Sequence, residues 1–135
     1  MENTVIEKTV IINAPVSKVW NVFTDPAVTK QMGGYYDTDW KPGSSFGFRN
    51  MQGNKVTNGE LLEFEPGRLI KHDLRESDNE TILSVITYEF REEDGATILT
   101  GKEVMKHPLE QTAFDDAEAG WEFALKAVKD LAEKL

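Results

Sequence analysis

Hydrophobic and polar positions change period several times along this chain. Val5 to Asn13 is rich in β-branched residues and reads as a strand. Val16, Val19, Trp20 and Phe23 then recur at helical spacing and give one apolar stripe. Pro15 stands before them, where a helix begins without losing a needed N–H. Asp25-Pro26 stops that helix, because a residue before proline avoids helical backbone angles. Asp25 is also placed to cap a second short helix from Pro26 to about Met32, which Gly33-Gly34 ends.

The middle of the chain reads as β. Strands are expected over Tyr35 to Trp40, Ser45 to Asn50, Thr57 to Glu65, Leu69 to Glu76, Thr81 to Glu92 and Thr97 to Lys106. Turn-forming clusters such as Lys41-Pro42-Gly43, Pro66-Gly67 and Asp94-Gly95 separate them. Asp94-Gly95 is the sharpest hairpin signal, since both residues tolerate positive φ. A two-residue loop there puts Phe90 opposite Leu99 and Tyr88 opposite Gly101, all on one face. The last segment returns to helical spacing: Phe114, Ala117, Trp121, Leu125, Val128, Leu131 and Leu135. Thr112 and Asp115 resemble a capping box at its start. From Thr112 to Leu135 such a helix runs roughly 35 Å, enough to lie across a whole sheet.

This order predicts one α+β domain over residues 1–135. Its sheet is antiparallel, strongly curved and of about seven strands. It wraps on a long C-terminal helix, and two short helices follow the first strand. A curved sheet on a helix tends to leave a cavity between them.

Composition narrows the function classes. Net charge is −9, from 15 basic and 24 acidic side chains, and a negative field repels nucleic acid. The chain has no cysteine, which removes disulfides and thiolate chemistry and fits a reducing cytoplasm. Apolar runs are far shorter than a membrane span needs, and Met1-Glu2-Asn3-Thr4 shows no leader. No metal-ligand spacing, Ser–His–Asp pattern or phosphate loop is present, so no cofactor or metal is expected.

Several strings resemble one family. Ile12-Asn13-Ala14-Pro15-Val16-Ser17-Lys18-Val19-Trp20 followed by Phe23-Thr24-Asp25-Pro26 is similar to the opening of the SRPBCC or START-like superfamily. Thr38-Asp39-Trp40-Lys41-Pro42-Gly43-Ser44-Ser45-Phe46 resembles its AHSA branch, homologues of the C-terminal domain of the activator of the heat-shock chaperone ATPase. So do Gly59-Glu60-Leu61-Leu62-Glu63-Phe64-Glu65-Pro66, Val85-Ile86-Thr87-Tyr88-Glu89-Phe90 and Gly120-Trp121. One departure is that Gln31-Met32-Gly33-Gly34-Tyr35-Tyr36 stands where many members carry paired tryptophans. The resemblance implies a helix-grip fold with an internal cavity. Many relatives bind lipids or polyketides, and a minority are cyclases or hydrolases.

A cavity between sheet and helix would be lined by alternate strand residues. The candidates are Tyr36, Trp40, Phe46, Phe48, Leu62, Phe64, Tyr88, Phe90 and Leu99, with Trp121 from the helix. Apolar and aromatic walls suit a small hydrophobic molecule, lipid-like or aromatic. The competing expectation is that these side chains simply fill the core. Trp20 is expected to pack its helix onto the sheet end. Trp121 needs a partner for its indole N–H if buried, and Gly120 beside it would allow close approach. His72, in Lys71-His72-Asp73, reads as a solvated strand residue, and His107-Pro108 as a loop. Arg49, Lys71 and Glu103 are the other polar residues that would face inward if any did.

The favoured function is therefore non-catalytic binding of a small hydrophobic molecule by a cytoplasmic protein. One alternative is an interaction module for a chaperone, with a stress-response role. The other is a cyclase- or hydrolase-like enzyme, for which His72 is the one candidate base near neutral pH.

Overall fold

The computed structural model describes residues 3–135. Met1 and Glu2, the first half of the opening read as lacking a leader, lie outside the described residues. The elements are β1 (Val5–Ile12), α1 (Val16–Thr24), α2 (Pro26–Thr29), β2 (Gly34–Thr38), β3 (Phe46–Asn50), β4 (Leu61–Glu65), β5 (Leu69–Arg75), β6 (Ile82–Glu93), β7 (Ala96–Met105) and α3 (Gln111–Ala132). A 3₁₀ turn over Lys30–Met32 extends α2. Asp25 caps α2 by accepting from the Ala27 N–H at 3.1 Å, and Gly33 ends the turn in the left-handed region at φ 99°.

Every strand pairing is antiparallel, and the fold is α+β. Five strands form the main sheet in the order β1-β7-β6-β5-β4, and β2-β3 form a second pair. The expected seven-stranded sheet is thus split. Backbone bonds from Phe46 to Gly59 and from Leu61 to Ser44 still tie β3 to the start of β4. The segment Thr57–Glu60 is not a strand but a crossing. Gly59 lies against the Asp73 backbone so closely that a Cβ would sit 2.1 Å from the Asp73 carbonyl oxygen. Asp73 is 1% exposed and locks the crossing, accepting from the Glu60 N–H at 2.8 Å and from Arg75.

Asp94 and Gly95, at φ 52° and 81°, close the β6–β7 hairpin in the expected register: Tyr88 faces Gly101 and Phe90 faces Leu99. The capping box is not formed. Glu110 occupies the N-cap without a side-chain bond, and Asp115 accepts instead from the Gln111 side chain at 2.8 Å. The core joins Ile6, Ile12, Val19, Val22, Leu61, Ile70, Leu99 and Leu125 between the sheet, α1 and the C-terminal half of α3.

Candidate functional site

Alternation on each strand decides what meets α3. Thr97, Leu99, Gly101, Glu103 and Met105 of β7 point inward, as do Ser84, Ile86, Tyr88 and Phe90 of β6 and Ile70, His72 and Leu74 of β5. Gly101 is needed for space. A Cβ there would lie 2.2 Å from the Trp121 ring, so the missing side chain seats the indole. Gly120 has open space instead of a close neighbour, so the room for Trp121 comes from the strand and not from the helix. The indole N–H donates to Glu103 Oε1 at 2.8 Å, and Ser84 Oγ–H donates to Glu103 Oε2 at 2.7 Å.

The interior beside this group is filled with rings. Trp20 packs on Phe64 and Phe90, with centroids 5.4 and 5.0 Å apart, which is the packing role expected of it. Phe23 meets Tyr88 and Phe90, and Tyr36 meets Phe46, Phe48 and Trp40. Trp40 also touches Phe64, and its backbone is left-handed at φ 57°, a strained state for a bulky residue. Its N–H donates to Thr38 Oγ1 at 3.2 Å, which helps to hold that turn.

His72 corrects the sequence reading. It is 4% exposed, points inward, stacks on Phe46 at 4.1 Å and places Nδ1 3.0 Å from the Asp73 carbonyl oxygen. Burial pushes its pKa down to about 4, so the ring is neutral at neutral pH. Burial likewise pushes the Tyr36 hydroxyl up to about 12 and the Tyr88 hydroxyl well above its ordinary 10. Arg49 and Lys71 face outward, paired with Asp37 and Glu63 at 2.6 and 3.3 Å, whereas Glu103 faces inward.

Of the ten candidate lining residues, Phe46, Phe90, Leu99 and Trp121 are buried, Tyr36, Trp40, Phe64 and Tyr88 are half-buried against the core, and Phe48 is half-buried at a cleft wall. Leu62 does not join them. A bulge between Leu61 and Glu63 breaks the alternation, so Leu61 takes the inward place and Leu62 lies off the core. Several clefts lie along α3. The widest, of about 570 Å³, lies between Leu74, Ile82, Ser84, Glu103, Met105 and Ala117. Two others meet at Tyr88 and Ala124. One, of about 210 Å³, is walled by Phe23, Met32, Tyr36, Phe48 and Tyr88 and rimmed by Phe123. The other, of about 270 Å³, lies between Ile86, Tyr88, Glu103 and Trp121. Their helix wall includes the small residues Ala117, Gly120, Ala124 and Ala127 at helical spacing, with Trp121, Phe123, Leu125 and Val128 beside them. That spacing was legible but hidden by the larger residues of the same helix. Among the described residues, no cluster of acidic and histidine side chains could hold a metal ion, and no helix is long and apolar enough to cross a membrane.

A curved antiparallel sheet holding one long helix, with clefts left between them, defines the helix-grip class. The chain belongs to the family described as activator of Hsp90 ATPase homolog 1-like protein, whose model matches residues 13–133. No curated protein matches it. Among solved structures it is similar to CalU16 from Micromonospora echinospora, with 24% identity and a TM-score of 0.73 over 93% of this chain and 71% of that one. It is also similar to MLL2253 from Mesorhizobium loti, with 19% identity and a TM-score of 0.78 over 96% and 97% of the two chains. DynU16, from the dynemicin biosynthetic locus, superposes with a TM-score of 0.80 at 19% identity over 96% of this chain and 47% of that one. At these identities the likeness shows the fold.

Proposed function

We propose that this protein binds a small hydrophobic molecule without transforming it, in the two joined clefts beneath α3. The observation that carries this reading is the cleft wall. Aromatic rings face a helix wall in which alanine and glycine alternate with larger apolar residues, and the small positions leave apolar surface open to a guest. Binding would draw on the apolar area removed from water, about 25 cal/mol per Å². His72, the candidate base, is a weak one, because burial lowers its pKa to about 4.

The test uses a neutral apolar fluorophore, N-phenyl-1-naphthylamine, with native mass spectrometry of the purified protein for any molecule carried through purification. Saturable binding is expected, and Ala124→Trp, which fills the junction of the clefts, should abolish it without unfolding the chain. No binding by wild type, or equal binding by the variant, overturns the proposal. The family suggests docking to a chaperone as a second reading. Under the ligand-binding proposal, a purified chaperone ATPase is not stimulated by this chain.

A further inference from the structure

Resting on that ligand-binding reading, we infer that the guest is an apolar body carrying a protonated amine, anchored by Glu103. Glu103 is the one charged side chain lining the 270 Å³ cleft, and the 210 Å³ cleft beside it has no charged wall. Its carboxylate is half-buried and held in place by two donors, Trp121 Nε1 at 2.8 Å and Ser84 Oγ at 2.7 Å, one on each oxygen. A carboxylate has about four acceptor positions, so a third donor can still approach. Among the described residues no lysine or arginine nitrogen lies within 4.0 Å of it.

The inward cation of β1, Lys8, is already engaged. Glu118 and Glu122 of α3 hold its Nζ at 3.2 Å each. Both donors on Glu103 are neutral, so a ligand cation would supply the counter-charge this half-buried carboxylate lacks. The walls suit a cation too. Tyr88 and Trp121, with ring centroids 5.6 Å apart, bound the same space, and aromatic faces attract ammonium groups. His72, Tyr36 and Tyr88 are neutral and add no competing positive charge. A carboxylate ligand would meet Glu103 as a like charge, and the chain's net charge of −9 favours approach of cations.

Three probes with one apolar body separate the outcomes: 1-naphthylmethylamine, 1-naphthalenemethanol and 1-naphthoate, titrated by calorimetry and tryptophan quenching. The amine should bind wild type at least tenfold more tightly than the alcohol, and the naphthoate most weakly. Glu103→Gln keeps an acceptor for Trp121 and removes the charge. It should bring the ratio of amine to alcohol affinity down to about one, read within the same variant. Equal binding of amine and alcohol by wild type overturns this inference while leaving hydrophobic binding in place, and that comparison needs no variant. An amine preference that survives Glu103→Gln overturns the role of Glu103. If no probe binds wild type, both readings fall.

Discussion

From Trp121 onward α3 buries Trp121, Leu125, Val128, Leu131 and Ala132, whereas Gln111–Gly120 bury none. The polar contacts divide the same way. The C-terminal half is tied down by Lys129 Nζ on the Ile11 carbonyl at 2.9 Å, by Glu133 accepting from the Asn13 N–H at 2.8 Å, and by Lys18 on the Leu135 carbonyl at 2.7 Å. The N-terminal half has Glu118 on Lys8, and its Ala117 and Gly120 face the 270 Å³ cleft. A helix gains its stability from docking more than from propensity, so the buried residues from Trp121 onward fix α3, while the small residues Ala117, Gly120, Ala124 and Ala127 wall the clefts across both halves. The lesson is that stability and binding are carried by different residues of a single helix. The small residues of the proposed site contribute least to folding.

The largest effect should come from breaking that asymmetry directly. Leu125→Ala removes a buried anchor and is expected to cost about 3 kcal/mol of unfolding free energy. Phe114→Ala, on the half-buried side of the other half, should cost less than about 1 kcal/mol. Urea unfolding of both variants measures the difference. Equal costs would mean that the two halves dock alike.

The next effect sits at the boundary between the halves. In Gly101→Ala the added Cβ meets the Trp121 ring at 2.2 Å, closer than any real contact. The backbone itself would accept alanine, since Gly101 is absent from the positive-φ positions. The ring must therefore move, and its bond to Glu103 goes with it, at a cost of about 2 kcal/mol. A shift in tryptophan emission with the lowered stability is the expected signature. A more stable Gly101→Ala would show that the indole has room elsewhere.

A pH effect of about the same or slightly smaller size follows from His72. Its folded pKa, about 4, lies below the ordinary 6.5, so the unfolded chain binds more protons between those values. Stability is therefore fully present above pH 6.5 and is lost as pH falls toward 4. Between pH 7 and pH 5 the expected loss is about 2 kcal/mol. The exposed carboxylates with lowered pKa, Glu65, Asp78, Asp130 and Glu133, lose their contributions only at lower pH. His72→Gln should flatten the slope above pH 5, whatever it does to the stability itself. An unchanged slope would place the titration elsewhere.

How much of this was legible depended on whether the signal was local. Asp94-Gly95 set the register that brings Tyr88, Gly101, Phe90 and Leu99 together, because a two-residue turn fixes pairing by itself. His72 was misread through its polar neighbours Lys71 and Asp73. The alternation Ile70, His72, Leu74 already placed it on the inner face. Leu62 was not recoverable, because a bulge of one residue leaves no mark in composition. The Glu103–Trp121 bond joins residues 18 apart on different elements, and only tertiary packing brings them together.

The smallest effect on folding should come from Phe123, and it sharpens the comparison most. Its ring is 78% exposed, so Phe123→Ala should change stability by less than about 0.5 kcal/mol. Yet Phe123 rims the 210 Å³ cleft opposite Met32 and Phe48. A large apolar side chain left in water at the mouth of an apolar cleft gains contacts only when a guest is present. Affinity for the neutral fluorophore should therefore fall by several-fold while the melting temperature stays within about 2 °C, the small shift a surface change produces in a domain of this size. If stability falls instead and affinity does not, Phe123 anchors α3 together with its buried neighbours, and the mouth of the cleft takes no part in binding.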